Sequence, residues 1–150
     1  MNAIEKESQR LELLLVEDNP GDVRLIREAF SAVNKSIRLH LVSDGVEAMA
    51  FLRRDGTHAD APRPDFILLD LNLPKMDGRE VLAQIKQDKD LKMIPTVVLS
   101  SSELEADVLI SYQLQANCYL RKPTHWDAFE SIMRFINVFW LTKPRLASAG

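Results

Sequence analysis

Cysteine is almost missing from this 150-residue chain. Cys118 is the only one, so no internal disulfide can form and no thiolate cluster can hold zinc. The longest apolar runs are four or five residues, far short of the roughly 20 that a membrane-spanning helix needs. The first ten residues carry four charges and no apolar stretch, unlike a secretory signal. Glycine numbers only five, and there is no internal repeat or low-complexity tract. Neither sign of charge dominates, with 19 basic against 22 acidic side chains and a net charge of −3, so a basic nucleic-acid footprint is lacking. These absences predict a cytoplasmic, soluble protein with no nucleic-acid or membrane partner. At this length roughly 70% of the unfolded chain's surface can be buried, enough for one domain without disulfides or a structural metal.

What is present is a regular alternation of strand and helix patterns. Leu13-Leu14-Leu15-Val16 is too short for a helix and suits a strand buried on both faces. Asn19 and Pro20 then form an N-cap and first helical position ahead of Val23, Ile26, Phe30 and Val33 at helical spacing. Ile37, Leu39 and Leu41 alternate as in a second strand, and Asp44 with Glu47 makes a capping box for a second helix. Residues 54–64, rich in Gly, Pro, Asp and Ala, are expected as an irregular surface loop. A third strand, Phe66 to Leu69, leads through the turn LPKMDG to a helix marked by Val81, Leu82 and Ile85. In that turn Asp77 is best read as a local cap before Gly78. Thr96 to Leu99 gives a fourth strand, followed by a helix from the Ser102/Glu105 capping box to about Gln115. Cys118 to Leu120 is a fifth strand, and a last helix runs from about Trp126 to Trp140, with Pro144 beyond it. This α/β order, (βα)₅ in one domain, predicts a doubly wound parallel sheet whose ligands bind at the carboxyl ends of the strands.

Those ends carry chemistry. Glu17 and Asp18 follow the first strand, Asp70 the third, Ser100 the fourth and Lys122 the fifth. Carboxylates brought close together repel unless a cation intervenes, so the cluster implies one. Its donors are all oxygen, without imidazole or thiolate, and that favours Mg2+. Phosphoryl chemistry fits the set: Asp70 as nucleophile, Lys122 and the cation offsetting charge on the transferring group, and the Ser100 hydroxyl bonding a phosphoryl oxygen.

The segments LLVEDN (14–19), ILLDLNLPKMDG (67–78), VVLSSS (97–102) and YLRKP (119–123) together resemble the receiver domain of two-component response regulators, in the family's order and spacing. The resemblance implies a flavodoxin-like five-stranded fold over residues 11–141, with an N-terminal extension at 1–10 and a C-terminal tail at 142–150. It implies that Asp70 is the phosphoacceptor for a partner sensor histidine kinase. It also implies that Glu17, Asp18, Asp70 and the backbone carbonyl of Asn72 bind Mg2+, that Ser100 and Tyr119 form a switch pair, and that Lys122–Pro123 is a candidate cis peptide bond. Serine at position 100 keeps the hydroxyl of the commoner threonine but not its methyl, so its rotamer is less constrained. The APRP insertion (61–64), DLNLPKMDGREVLAQIKQD (70–88), NCYLRKP (117–123) and the Phe139-Trp140 pair are similar to the stand-alone regulators that serve bacterial and cyanobacterial phytochromes.

Twenty-eight residues follow Lys122, and the last helix and tail account for them. The expected output is therefore contact with a downstream phosphotransfer or effector protein rather than DNA binding or catalysis by a further domain. The competing enzyme reading, an aspartyl-nucleophile phosphatase, wants a second acid two residues beyond the nucleophile. Asn72 stands there and cannot donate a proton as a carboxylic acid would. A flavin-binding domain would leave the acids and the lysine unexplained. His40, His58 and His125 show no ligand spacing and are assigned no catalytic role, and Cys118 is read as core. In the last helix Phe129, Ile132, Met133, Ile136 and Trp140 form one stripe, yet Phe135, Val138, Phe139 and Leu141 extend the apolar surface around it. A homodimer is expected, its face drawn from the fourth and last helices and the fifth strand and including Phe135, Phe139 and Trp140.

Overall fold

The computed structural model describes residues 10–101, 110, 113–123 and 126–138. Five strands, β1 (Leu11–Val16), β2 (Ile37–Val42), β3 (Phe66–Leu69), β4 (Thr96–Ser100) and β5 (Cys118–Arg121), pair in parallel in the order β2-β1-β3-β4-β5. The chain adds β2 on one side of β1 and then returns to add β3 on the other. The crevice outside the carboxyl ends of β1 and β3 is thus the topological switch point, and it is where the acidic residues gather. Four helices are described: α1 (Pro20–Val33), α2 (Gly45–Arg53), α3 (Gly78–Gln87) and α4 (Trp126–Ile136).

Continuous apolar strands follow from a sheet covered on both faces. Alternation sends Leu13, Leu15, Phe66, Leu68, Val97 and Leu99 toward Ile26 and Phe30 of α1 and Phe129, Met133 and Ile136 of α4. Leu14, Val16, Ile67, Leu69 and Val98 face the other way, onto Met49 and Leu52 of α2 and Val81, Leu82 and Ile85 of α3. The helix starts are capped as the sequence predicts. Asn19 accepts from the Asp22 N–H at 3.0 Å, and Asp44 from the Glu47 N–H at 2.7 Å. Asp77 accepts from the Arg79 N–H at 2.8 Å, a local cap as read.

Several boundaries differ from expectation, each for a local reason. Strand β1 begins two residues before the apolar run, because Leu11 and Glu12 pair with Ile37 and Arg38. Asp65 fixes that start, its Oδ2 accepting from the Glu12 N–H at 2.8 Å while its own N–H donates to Glu12 O at 2.7 Å. Residues 54–64 include one 3-10 turn, Gly56–His58. His40 and His58 both pack against Phe51, ring centroids 5.5 and 5.4 Å away, and pair with Glu12 and Glu47. Their role here is packing. The Ser102/Glu105 capping box lies outside the described residues. The last helix is α-helical to Ile136, and Asn137 and Val138 widen into π geometry. Asn137 there accepts a 2.9 Å hydrogen bond from the Asn34 side chain beyond α1. Phe139, Trp140, Leu141 and the tail lie outside the described residues.

Candidate functional site

Strand register brings the predicted acids together. Glu17 leaves β1 and Asp70 leaves β3, with the Asp70 N–H donating to Val16 O at 3.0 Å and so tying the two strand ends to each other. Oxygens of Glu17, Asp18 and Asp70 lie within 4.8 Å of one another. Glu17 is 2% exposed and Asp70 is also buried, whereas Asp18 faces solvent. Asp70 Oδ1 accepts from the Asn72 N–H at 3.2 Å, and Glu17 Oε2 accepts from the Asn19 N–H at 3.2 Å. This all-oxygen group, open on the Asp18 side, suits a hard divalent cation that keeps some of its waters.

Lys122 comes from the end of β5, the far edge of the sheet. Its own N–H donates to Ser100 O at 2.8 Å, continuing the β4–β5 ladder by one residue. The ammonium Nζ reaches Glu17 Oε1 at 2.5 Å, Asp22 Oδ2 at 2.9 Å and Asp70 Oδ2 at 3.1 Å, and the side chain is 8% exposed. Burial alone pulls its pKa down. The hydrogen bonds to Glu17 and Asp22 and the Asp70 charge outweigh that, leaving it above the ordinary lysine range and firmly protonated. Glu17 moves the opposite way from a typical ion-paired carboxylate. Burial pushes it up to about 7, and the Asp70 charge adds to the rise while the Lys122 hydrogen bond opposes it. Four carboxylates against one ammonium leave the pocket short of positive charge.

Ser100 is the last residue of β4 and fully buried. The Asn72 side-chain amide approaches its Oγ at 3.5 Å. Ser100 lies two residues beyond Val98 and so shares its face of the sheet. Tyr119, opposite Val98 in β5, is half-buried against the core on that same face. The Lys122–Pro123 bond is trans, since no described peptide bond is cis, and this corrects the cis candidate. An X–Pro bond prefers trans by only about 0.5–1 kcal/mol, so local packing selects the isomer.

Two residues here escaped sequence reading. Asp22 sits in the first turn of α1, where an acid reads as helix-end electrostatics, and only the fold reveals that Lys122, 100 residues away, reaches it. Gly78 read as part of a turn, yet a Cβ there would lie 2.3 Å from Asp70 O and 2.5 Å from Leu71 Cα. The start of α3 is thus pressed against the backbone of Asp70 itself, with the Gly78 N–H donating to Leu71 O at 2.9 Å.

Comparison with known proteins agrees with this geometry. The sequence model of the family described as "Response regulator receiver domain" matches residues 13–134. The chain is 48% identical over 137 residues to Response regulator Rcp1 of Synechocystis sp. (strain ATCC 27184 / PCC 6803 / Kazusa), covering 91% of this chain and 93% of that protein. The crystal structure of the phosphorylated cyanobacterial phytochrome response regulator RcpA superposes with a TM-score of 0.85 at 51% identity, covering 89% of this chain and 95% of that one. The Mn(2+)-bound form of Rcp1 gives 0.83 at 48% identity, covering 89% and 96%. With the family model matched over residues 13–134 and 48% identity to Rcp1 along nearly the whole of both chains, the chain belongs to the response regulator receiver domain family.

Proposed function

We propose that the protein is a phosphorylation switch in which Asp70 accepts the phosphoryl group of a phosphohistidine on a sensor kinase. The observation that carries this reading is Lys122 Nζ at 3.1 Å from Asp70 Oδ2, beside two further carboxylates that gather with Asp70 within 4.8 Å. Glu17, Asp18, Asp70 and the Asn72 carbonyl would hold Mg2+, which supplies charge neutralisation of the phosphoryl oxygens when bound. An Asp70 oxygen attacks phosphorus, an O–P bond forms, the N–P bond breaks, and the imidazole departs with its electron pair. Lys122 balances charge on the group transferred. Ser100 donates to a phosphoryl oxygen and Tyr119 follows on the same face of the sheet, so the added charge becomes a change of surface. Hydrolysis of the acyl phosphate resets the protein.

Similarity to RcpA, described as a cyanobacterial phytochrome response regulator, supports a phytochrome kinase as donor, and we take the protein to act in the cytoplasm with output through a protein contact. The test is incubation with acetyl phosphate and Mg2+ followed by intact-mass measurement. A gain of one phosphoryl mass is expected, and no gain overturns the reading.

Two further outcomes follow. Glu17 retains its proton below a pKa of about 7 in the metal-free protein, and a cation needs it ionised. Mg2+ affinity is therefore expected to fall as pH drops from about 8 to about 6, with proton release on binding. Calorimetric titrations showing equal affinity across that range would contradict it. In the exposed part of the apolar surface, Phe135 is 41% and Val138 64% accessible, and we take them with Phe139 and Trp140 as part of a homodimer face. Sedimentation at micromolar concentration should show a dimer that Phe135→Ser weakens. A monomeric wild-type protein removes the dimer from the proposal.

A further inference from the structure

We propose that Asp22 is a positioning residue for Lys122: it keeps the ammonium paired when a divalent cation takes over Glu17 and Asp70. This rests on the cation reading given above. The ammonium and the cation want the same oxygens. Of the three carboxylates that Lys122 touches, Glu17 and Asp70 belong with Asp18 to the group able to hold a metal, and Asp22 does not. Once a doubly charged ion sits on Glu17 and Asp70, like-charge repulsion weakens the ammonium's hold on their oxygens. At 8% exposure the side chain is too enclosed for water to solvate it freely, and a buried ammonium without a partner is costly.

Asp22 supplies the partner. It is already 2.9 Å from Nζ before any cation arrives, so the lysine need only shift its weight from three oxygens to one. Its backbone is fixed, since its N–H is held by Asn19 Oδ1 at 3.0 Å in the cap of α1. At 26% exposure its side chain is more open to water than those of Glu17 or Asp70. The lysine thus stays beside the acceptor, ready for a phosphoryl group.

The test is a double-mutant cycle read by calorimetric Mg2+ titration of the full chain: wild type, Asp22→Asn, Lys122→Gln and the pair. Asparagine keeps the shape of Asp22 and leaves the cap intact, because the cap uses the backbone N–H. Asp22→Asn is expected to weaken Mg2+ binding about tenfold when Lys122 is present and less than about twofold in the Lys122→Gln background. Asp22→Glu should restore most of the affinity, which a purely structural defect would not predict. Equal losses in both backgrounds overturn the proposal, because Asp22 would then act only as a distant charge. If Lys122→Gln does not fold, wild type and Asp22→Asn are compared in about 1 M salt, where the Debye length is about 3 Å. A loss that persists supports the contact, and one that vanishes overturns it. Wild-type protein that binds no Mg2+ removes the cation reading and this proposal with it. Wild-type binding with an unchanged Asp22→Asn removes this proposal alone.

Discussion

Asp70→Asn is expected to abolish phosphoryl uptake from acetyl phosphate and, in the same protein, to raise the stability of the metal-free fold. The first effect follows from chemistry, because an amide oxygen is not the nucleophile that a carboxylate is. The second follows from crowding. Asp70 is buried with an oxygen within 4.8 Å of oxygens of both Glu17 and Asp18, and removing its charge relieves like-charge repulsion while Lys122 keeps Glu17 and Asp22 as partners. The gain should be on the order of 1 kcal/mol, the size of a well-screened contact between two unit charges. Urea unfolding without Mg2+ measures it, and Mg2+ should then stabilise the variant less than the wild type. A variant that still gains one phosphoryl mass would place the acceptor elsewhere, and one less stable than wild type would mean that the Lys122 contact outweighs the repulsion.

Gly78→Ala should damage the fold far more than a methyl added at Gly56. The three atoms a Cβ would meet, Asp70 O at 2.3 Å, Leu71 Cα at 2.5 Å and Leu71 O at 2.9 Å, all belong to backbone, so no side-chain rotation relieves the clash. A cost of about 3 kcal/mol is expected, at the upper end of ordinary overpacking. Because the displaced backbone is that of Asp70, phosphorylation rate should fall as well, even in protein that remains folded. Gly56→Ala is the comparison: it has φ +57 and open space around it, so only left-handed backbone strain of about 1 kcal/mol applies and phosphorylation should be unaffected. Equal urea midpoints for the two variants would show that the turn into α3 can yield.

The sequence made the strands, the caps and most of the site legible because each is a local signal. Leu13 to Val16 and Phe66 to Leu69 announce buried strands by their own composition, and parallel topology then converts the residues after them into one cluster. What stayed hidden depends on distance across the fold. Nothing near Asp22 indicates that Lys122 closes a gap of 100 residues to 2.9 Å. Nothing near Gly78 indicates that a helix start lies against the Asp70 carbonyl. The early start of β1 needed its partner strand, and the trans Lys122–Pro123 bond turned on an energy difference too small for the sequence to fix.

Under the switch proposed above, the sheet's alternation would also decide which layer responds. Ser100 and Tyr119 open onto the layer of α2 and α3, while α1 and α4 are packed together on the opposite side and tied by the Asn34–Asn137 hydrogen bond. A disturbance that starts at Ser100 has a full thickness of close-packed strand side chains between it and that second layer. The start of α1 reaches the site through Asp22, but the exposed Ser31 further along that helix is expected to respond less than the α2 and α3 layer. A fluorophore attached at Ser31 is expected to perturb the proposed switch less than the same label on the α2 and α3 side.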